Sequence, residues 1–319
     1  MNWFMDWLDR FTGLPIPRTG DKMDYLPVSP AGRKYGRFPD NPKHPARSLR
    51  ALLAQPSVVL PPTALELVPF KGPTRDQGQE GSCTGQAGAE KVDLDYRQFS
   101  DWQDRSIDPS KFLSSAEFVY LCNLIADGDL GTDAGSSLHQ TAITISQRGS
   151  CQNSLMPYSD SQFSTPPDTA QYTSGALYRM EPYHYLPDLL SMKSCLAPSA
   201  AGPGHSFIFG ILVYDSFEAG WQVPGFMPVP DLRTEQCLGG HAQHAIGYDD
   251  TIEFPDGSKG GLLVQNSWGS SWGIDAPGHT DGGTYWMPYA FVTGSDPVNG
   301  AFVDDAWISH TGAPWVPTT

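Results

Sequence analysis

Downstream of residue 83 the apolar positions recur at helical spacing. Ala89, Val92, Tyr96 and Phe99 lie three, four and three residues apart, which aligns them on one face of a helix starting near Cys83. Residues 115–126 and 137–148 also read as helices, the second with Leu138, Ala142 and Ile145 on one face. The pattern then changes. Residues 207–214 form a continuous apolar run suited to a buried strand, and residues 243–254, 261–265, 284–291 and 301–308 alternate as strands do. Asp256-Gly257-Ser258 falls between two of these runs as a hairpin turn. Residues 274–283, rich in Gly and Asp, are expected to form an inserted surface loop.

The first 72 residues follow another rule. They hold 11 of the chain's 29 prolines, which block long helices and sheet ladders, so an extended arm over a body at 73–319 is expected. Within that arm Trp3, Phe4, Trp7, Leu8 and Phe11 recur at helical spacing, giving a short amphipathic turn suited to docking on the body or on a partner protein. The arm carries 10 Lys/Arg against 6 Asp/Glu, and the body 10 against 29, so +4 and −19 make the net −15. An acidic body argues against nucleic-acid binding, and the basic arm is suited to lie on it. No run of about 18 apolar residues occurs, so no transmembrane helix is expected. The first eleven residues, with Asp6 and Asp9, do not resemble a secretory signal. A cytoplasmic or particle-borne protein is therefore favoured over a secreted one.

Chemistry enters with four side chains. Cys83 follows Gly81-Ser82, a tight turn that would set the thiol on the first turn of a helix, where the partial positive charge favours a thiolate. His241 is suited to pair with that thiolate and later to protonate a leaving amine. Asn266, in Asn266-Ser267-Trp268-Gly269, would hold the imidazole's tautomer and orientation. Gln77, six residues before the thiol, would give an N–H to an oxyanion beside the Cys83 backbone N–H. The other cysteines, Cys122, Cys151, Cys195 and Cys237, are expected to be free and mostly buried thiols. His244 would point to the opposite strand face from His241. His279, Asp275 and Asp281 are read as loop polarity, and no cofactor or metal is expected.

In this order and spacing the residues resemble the papain family of cysteine peptidases, and within it a prokaryotic or phage branch, from about residue 35 to 308. The strongest stretches are 76–83, 238–250 and 262–273. The resemblance implies an α+β fold of two lobes: a helical lobe at about 73–195 carrying Cys83 and a β-barrel-like lobe at about 196–310 carrying His241 and Asn266. Peptide bonds would be hydrolysed in the cleft between them. It further implies that Trp268 shields the Asn266–His241 hydrogen bond, that the Gly135 loop pairs with substrate backbone, and that Ala242 and Gly210 line the main specificity pocket. The chain departs from the family at Glu80-Gly81-Ser82-Cys83-Thr84, where the first cysteine of the family signature, and with it a disulfide, is missing. Gly85 follows, which weakens a helix by about 1 kcal/mol relative to Ala. Gln86 then puts a polar group on the core side. A second expectation is a papain-fold subunit kept for binding or assembly; a transglutaminase-like acyl transfer is disfavoured because Asn266 stands where an Asp is usual.

Overall fold

A computed structural model describes residues 34–38, 60–99, 108–180, 183–199, 202–218, 221 and 223–310. The amphipathic turn expected at 3–11 lies outside these residues.

In chain order the elements are β1 (Arg37–Phe38), β2 (Thr63–Ala64), α1 (Cys83–Gln98), α2 (Ala116–Asp127), β3 (Ser136–Ser137), α3 (Leu138–Gln147), α4 (Thr169–Gly175), β4 (Tyr183–Tyr185), α5 (Leu189–Leu196) and β5 (Phe207–Tyr214). A short α6 (Asp215–Glu218) leads to β6 (Cys237–Glu253), β7 (Lys259–Gln265), β8 (Thr284–Pro288), α7 (Tyr289–Val292), the β9 (Ser295–Asp296) and β10 (Gly300–Ala301) pair, and β11 (Val303–Ser309). Helices come first and strands after, an α+β architecture of two lobes. The sheet runs β4-β11-β5-β6-β7-β8, its neighbours antiparallel, with β2 added alongside β6.

Local chemistry explains the element ends. Ser115 and Ser137 cap α2 and α3, accepting from Phe118 N at 3.0 Å and Gln140 N at 3.1 Å. Gly128 ends α2 at φ +79°, a left-handed turn that suits glycine. Gly257 takes φ +83° in the β6–β7 hairpin, where Phe254 N donates to Ser258 O at 2.9 Å. The strand expected at 284–291 splits, because the chain turns into α7 after Pro288. β6 begins at Cys237, six residues before the expected start, so His241 sits inside a strand.

Helix α1 is buried almost all round, and several of its charged side chains are paired. Lys91 pairs with Asp95 one turn on. Asp93 accepts from Arg75 at 2.5 Å and from Ser114 N at 2.7 Å. Buried charges need such partners. Gly85, expected merely to weaken the helix, is a packing requirement: a Cβ there would stand 2.7 Å from Tyr120 Cβ. Along β5 the residues alternate. Phe207, Phe209, Ile211 and Val213 enter the main sheet core with Ile246, Leu263 and Tyr285. Ile208 faces the other way, joining Ala242 and Trp307 against Cys83, Ala87 and Leu138. This second cluster joins the lobes.

Three sequence expectations shift. β4 already pairs with β11, so the chain enters the sheet at 183, ahead of the expected lobe boundary near 195. At the other end, β2 pairs with β6 and Leu67 and Val68 lie in the core, so the last ten residues assigned to the arm belong to the body. The 274–283 segment is no detached loop: Asp281 accepts from Lys71 Nζ at 2.9 Å and Thr74 N at 2.8 Å, and His279 Nε2 donates to Val68 O at 2.8 Å. Among the described residues no cluster of metal-binding side chains occurs, and no helix is long and apolar enough to cross a membrane. All five cysteines are free, four of them buried.

Candidate active site

One packing contact and two hydrogen-bonded links bring the segments of the four candidate residues together. Cys83 is the first residue of α1 and packs in one cluster with Ala242, the residue after His241. His241 Nε2 lies 2.8 Å from Asn266 Oδ1. Ser267, next along, donates its hydroxyl to Gln77 Oε1 at 2.8 Å, and Gln77 N donates to Ser267 O at 2.9 Å.

The Asn266 link also fixes a tautomer. Its Oδ1 accepts from the Ser267 backbone N–H at 2.9 Å, a group that can only donate. The same oxygen must therefore accept from His241, so Nε2 carries the hydrogen and Nδ1 of the neutral ring keeps its lone pair. Trp268 packs over this arrangement with its ring centroid 5.0 Å from that of His241 and is only 3% exposed. It is packed against Phe217 and Trp272 rather than at an open surface. Gln77 Nε2 donates one of its two hydrogens to Glu80 O at 3.0 Å; the second is the one an oxyanion would take. His244, three residues from His241, is buried and held neutral, its pKa pushed down to about 3 by burial and by the charge of Lys91.

Residues 34–38 lie across the cleft. Tyr35 stands edge-on to His241 with ring centroids 6.4 Å apart and hydrogen-bonds to Glu218. Gly36 passes close to Cys83, near enough for its backbone to favour the thiolate, and its carbonyl accepts from Ser136 N at 2.7 Å. A Cβ on Gly36 would sit 1.7 Å from Gly81 O, so only glycine fits. Arg37 then pairs in parallel with Ser136 and turns its side chain down beside Gly210. Gly135 takes φ +74°, and a Cβ there would stand 2.0 Å from Gly36 O. Its own N–H goes to Tyr120 Oη at 3.0 Å, so the neighbouring Ser136 does the backbone pairing. Asp133 ties these parts together, accepting from Gly81 N at 2.9 Å, Tyr120 Oη at 2.7 Å and Lys34 Nζ at 2.6 Å.

With the segment in place Cys83 is fully buried. Burial is the largest influence on its thiol and pushes it up to about 11, against lowering contributions from the Ala242 and Gly36 backbone and the charge of Arg37. The thiol is therefore protonated at neutral pH. Nearby Glu80 and Glu117 are raised to about 8 and about 7, mainly by burial, with Glu117 adding to the rise at Glu80.

No family model matches the chain. Its fold aligns with that of xylellain, a cysteine protease from Xylella fastidiosa, at TM-score 0.69 and 25% identity, covering 91% of this chain and 99% of that one. The chain has the papain-like fold. ProCathepsin B S9 from Trypanosoma congolense shares it at TM-score 0.61 and 16% identity, with 98% and 99% covered. In sequence the chain is 24% identical over 238 residues to an uncharacterised peptidase C1-like protein of Acanthamoeba polyphaga mimivirus, spanning 73% of this chain and 68% of that protein.

Sequence reading missed Tyr35, Arg37, Ser136, Asp304 and Asp305. The carboxylates had left a signal: two consecutive aspartates in the otherwise apolar strand Val303-Asp304-Asp305-Ala306-Trp307-Ile308.

Proposed function

We propose that the protein is an endopeptidase in which Cys83, His241 and Asn266 act as a triad and Gln77 supplies an oxyanion donor. That the chain is a cysteine peptidase follows from its papain-like fold together with xylellain and the peptidase C1-like relative. Of the expected prokaryotic or phage branch, the likeness to the bacterial xylellain supports the prokaryotic side.

His241 Nδ1 takes the Cys83 proton, and the thiolate attacks the peptide carbonyl carbon. The oxyanion that forms is met by the Cys83 backbone N–H and by Gln77 Nε2. The C–N bond breaks as the imidazolium returns the proton to the leaving amine. A water, deprotonated by His241, then hydrolyses the thioester and frees Cys83. The observation that carries this reading is the His241–Asn266 bond of 2.8 Å, with Oδ1 shared by the Ser267 N–H, because it leaves Nδ1 as the base.

The arm stands in this path without being a substrate. A leaving amine departs on the His241 side, so the residues C-terminal to a scissile bond lie there. In the arm the residue beside His241 is Tyr35, N-terminal to Gly36. The segment therefore runs backwards through the cleft, and must leave before a peptide enters. A covered cleft also suits the second expectation, a binding subunit. Labelling separates the two: with the arm unseated, a peptidyl epoxide should modify wild-type Cys83 and not Cys83→Ala, while Cys122→Ala should leave labelling intact. Equal labelling of the two cysteine variants would reject Cys83 as the nucleophile.

A further inference from the structure

Arg37 is an unusual side chain to bury, at 3% exposure, and three features of the body make room for it. The first is Gly210, in the apolar run of β5, where a Cβ would stand 2.3 Å from the guanidinium carbon. The second is a pair of carboxylates: Asp304 forms an ion pair with Arg37 Nη2, and Asp305 Oδ2 lies 3.7 Å from the same atom. The third is the backbone that presents them. Consecutive strand residues point to opposite faces, so 304 and 305 should not share a partner. β11 breaks its register with β5 between Asp304 and Trp307, and Asp305 adopts φ +54°, a conformation uncommon outside glycine and easier for Asp than for most residues. The bulge turns both acids toward one pocket. Asp305 is further held by Leu138 N at 3.2 Å and Trp307 Nε1 at 2.5 Å. The acids, the glycine and the bulge belong to the body and stay when the arm leaves. The acidic charge that faces Arg37 therefore stays with the pocket.

We propose that this pocket selects a basic side chain in the substrate, arginine above all, with Asp304 and Asp305 as specificity-determining residues. The proposal rests on the peptidase reading and deepens it. The register follows from the arm. Gly36 sits at the sulfur and Arg37 one residue further from His241, so in a peptide of opposite direction the pocket takes the residue before the one carrying the scissile carbonyl. Arg37 occupies the pocket as a surrogate and holds the arm in place by the same contacts.

The test uses the full-length protein carrying Gly36→Ala and Arg37→Ala, which removes the arm's fit and its anchor together. Two peptidyl epoxides, identical except for arginine or leucine at that residue, are compared by the rate at which they add to Cys83, followed by intact mass. The arginine reagent should react about tenfold faster or more. Adding Asp304→Asn should bring the ratio to within about threefold, and Asp305→Asn should lower it too. Because each ratio compares two reagents on one protein, a partly destabilised variant does not distort it. Equal rates in the double variant, or a preference unchanged by Asp304→Asn, would overturn the basic pocket while leaving the peptidase standing. If neither reagent adds to Cys83 while iodoacetamide still alkylates it, the peptidase reading fails and takes the pocket with it.

Discussion

Asn266 Oδ1 accepts two hydrogens, one from His241 and one from Ser267, and that single atom decides which imidazole nitrogen carries the hydrogen and which would serve the proposed mechanism as base. Asn266→Ala should therefore lower kcat through loss of the correct tautomer and orientation, with KM much less affected. Gln77 acts on a different quantity. On the proposed mechanism Gln77→Ala removes an oxyanion donor and should lower kcat by about a hundredfold to a thousandfold, again with little change in KM; an equal rise in KM would mean that it binds ground-state substrate instead. The sequence singles these residues out because their chemical types and the motifs around them fit the proposed steps. Arg37 and Tyr35 were not legible there, because nothing local to residues 34–38 says which surface the segment meets. The aspartates of β11 were visible, yet their shared direction depends on a bulge that alternation does not foretell.

At the scale of elements, the arm segment and helix α1 set the state of the thiol. Gly36→Ala puts a methyl 1.7 Å from a backbone oxygen, which the segment can relieve only by moving off Cys83. Iodoacetamide should then alkylate Cys83 faster, and the pH at which its rate rises should drop relative to wild-type, because burial is the largest cause of the raised pKa. Unchanged rate and pH profile would mean that the arm does not control the sulfur. Gly85 sits where α1 and α2 approach closely, so Gly85→Ala should lower stability by about 1–3 kcal/mol despite its better helix propensity, as read by denaturant unfolding. Helix propensity alone gave the opposite sign. The helix and strand positions were otherwise well marked in the sequence, since Ser115, Ser137 and Gly257 are caps and turns by chemistry. The split after Pro288 and the early start of β6 were hidden, because strand ends are set by partners in the sheet rather than by local pattern.

Across the whole molecule, buried titratable groups set a stability window. Glu80 and Glu90 are raised to about 8 and Glu117 to about 7, each chiefly by burial. Their stabilisation is complete below the ordinary carboxylate range and is lost as pH rises through 7 to 8. His205, His244 and His310 are lowered to about 2, 3 and 4 by burial, so their contribution is present above the ordinary histidine range and is lost as pH falls. Tm should therefore peak in mild acid, at about pH 5–6.5, and decline toward pH 8.5. Glu90→Gln should flatten the alkaline decline; a Tm that rises steadily to pH 8.5 would contradict the burial account. The two-lobed fold was readable from the sequence by its family resemblance, whereas the tie between 274–283 and residues 68–74 was not, being made of polar contacts between distant segments. The central claim is that Cys83 is a nucleophile served by His241 and covered by the arm. Active-site titration with a peptidyl epoxide tests it most directly, comparing wild-type, Gly36→Ala, and Gly36→Ala with His241→Ala in the full-length chain. One equivalent should add at Cys83 in Gly36→Ala, much more slowly in wild-type, and scarcely at all once His241 is gone. Addition that ignores both changes, or that occurs at another cysteine, would contradict it.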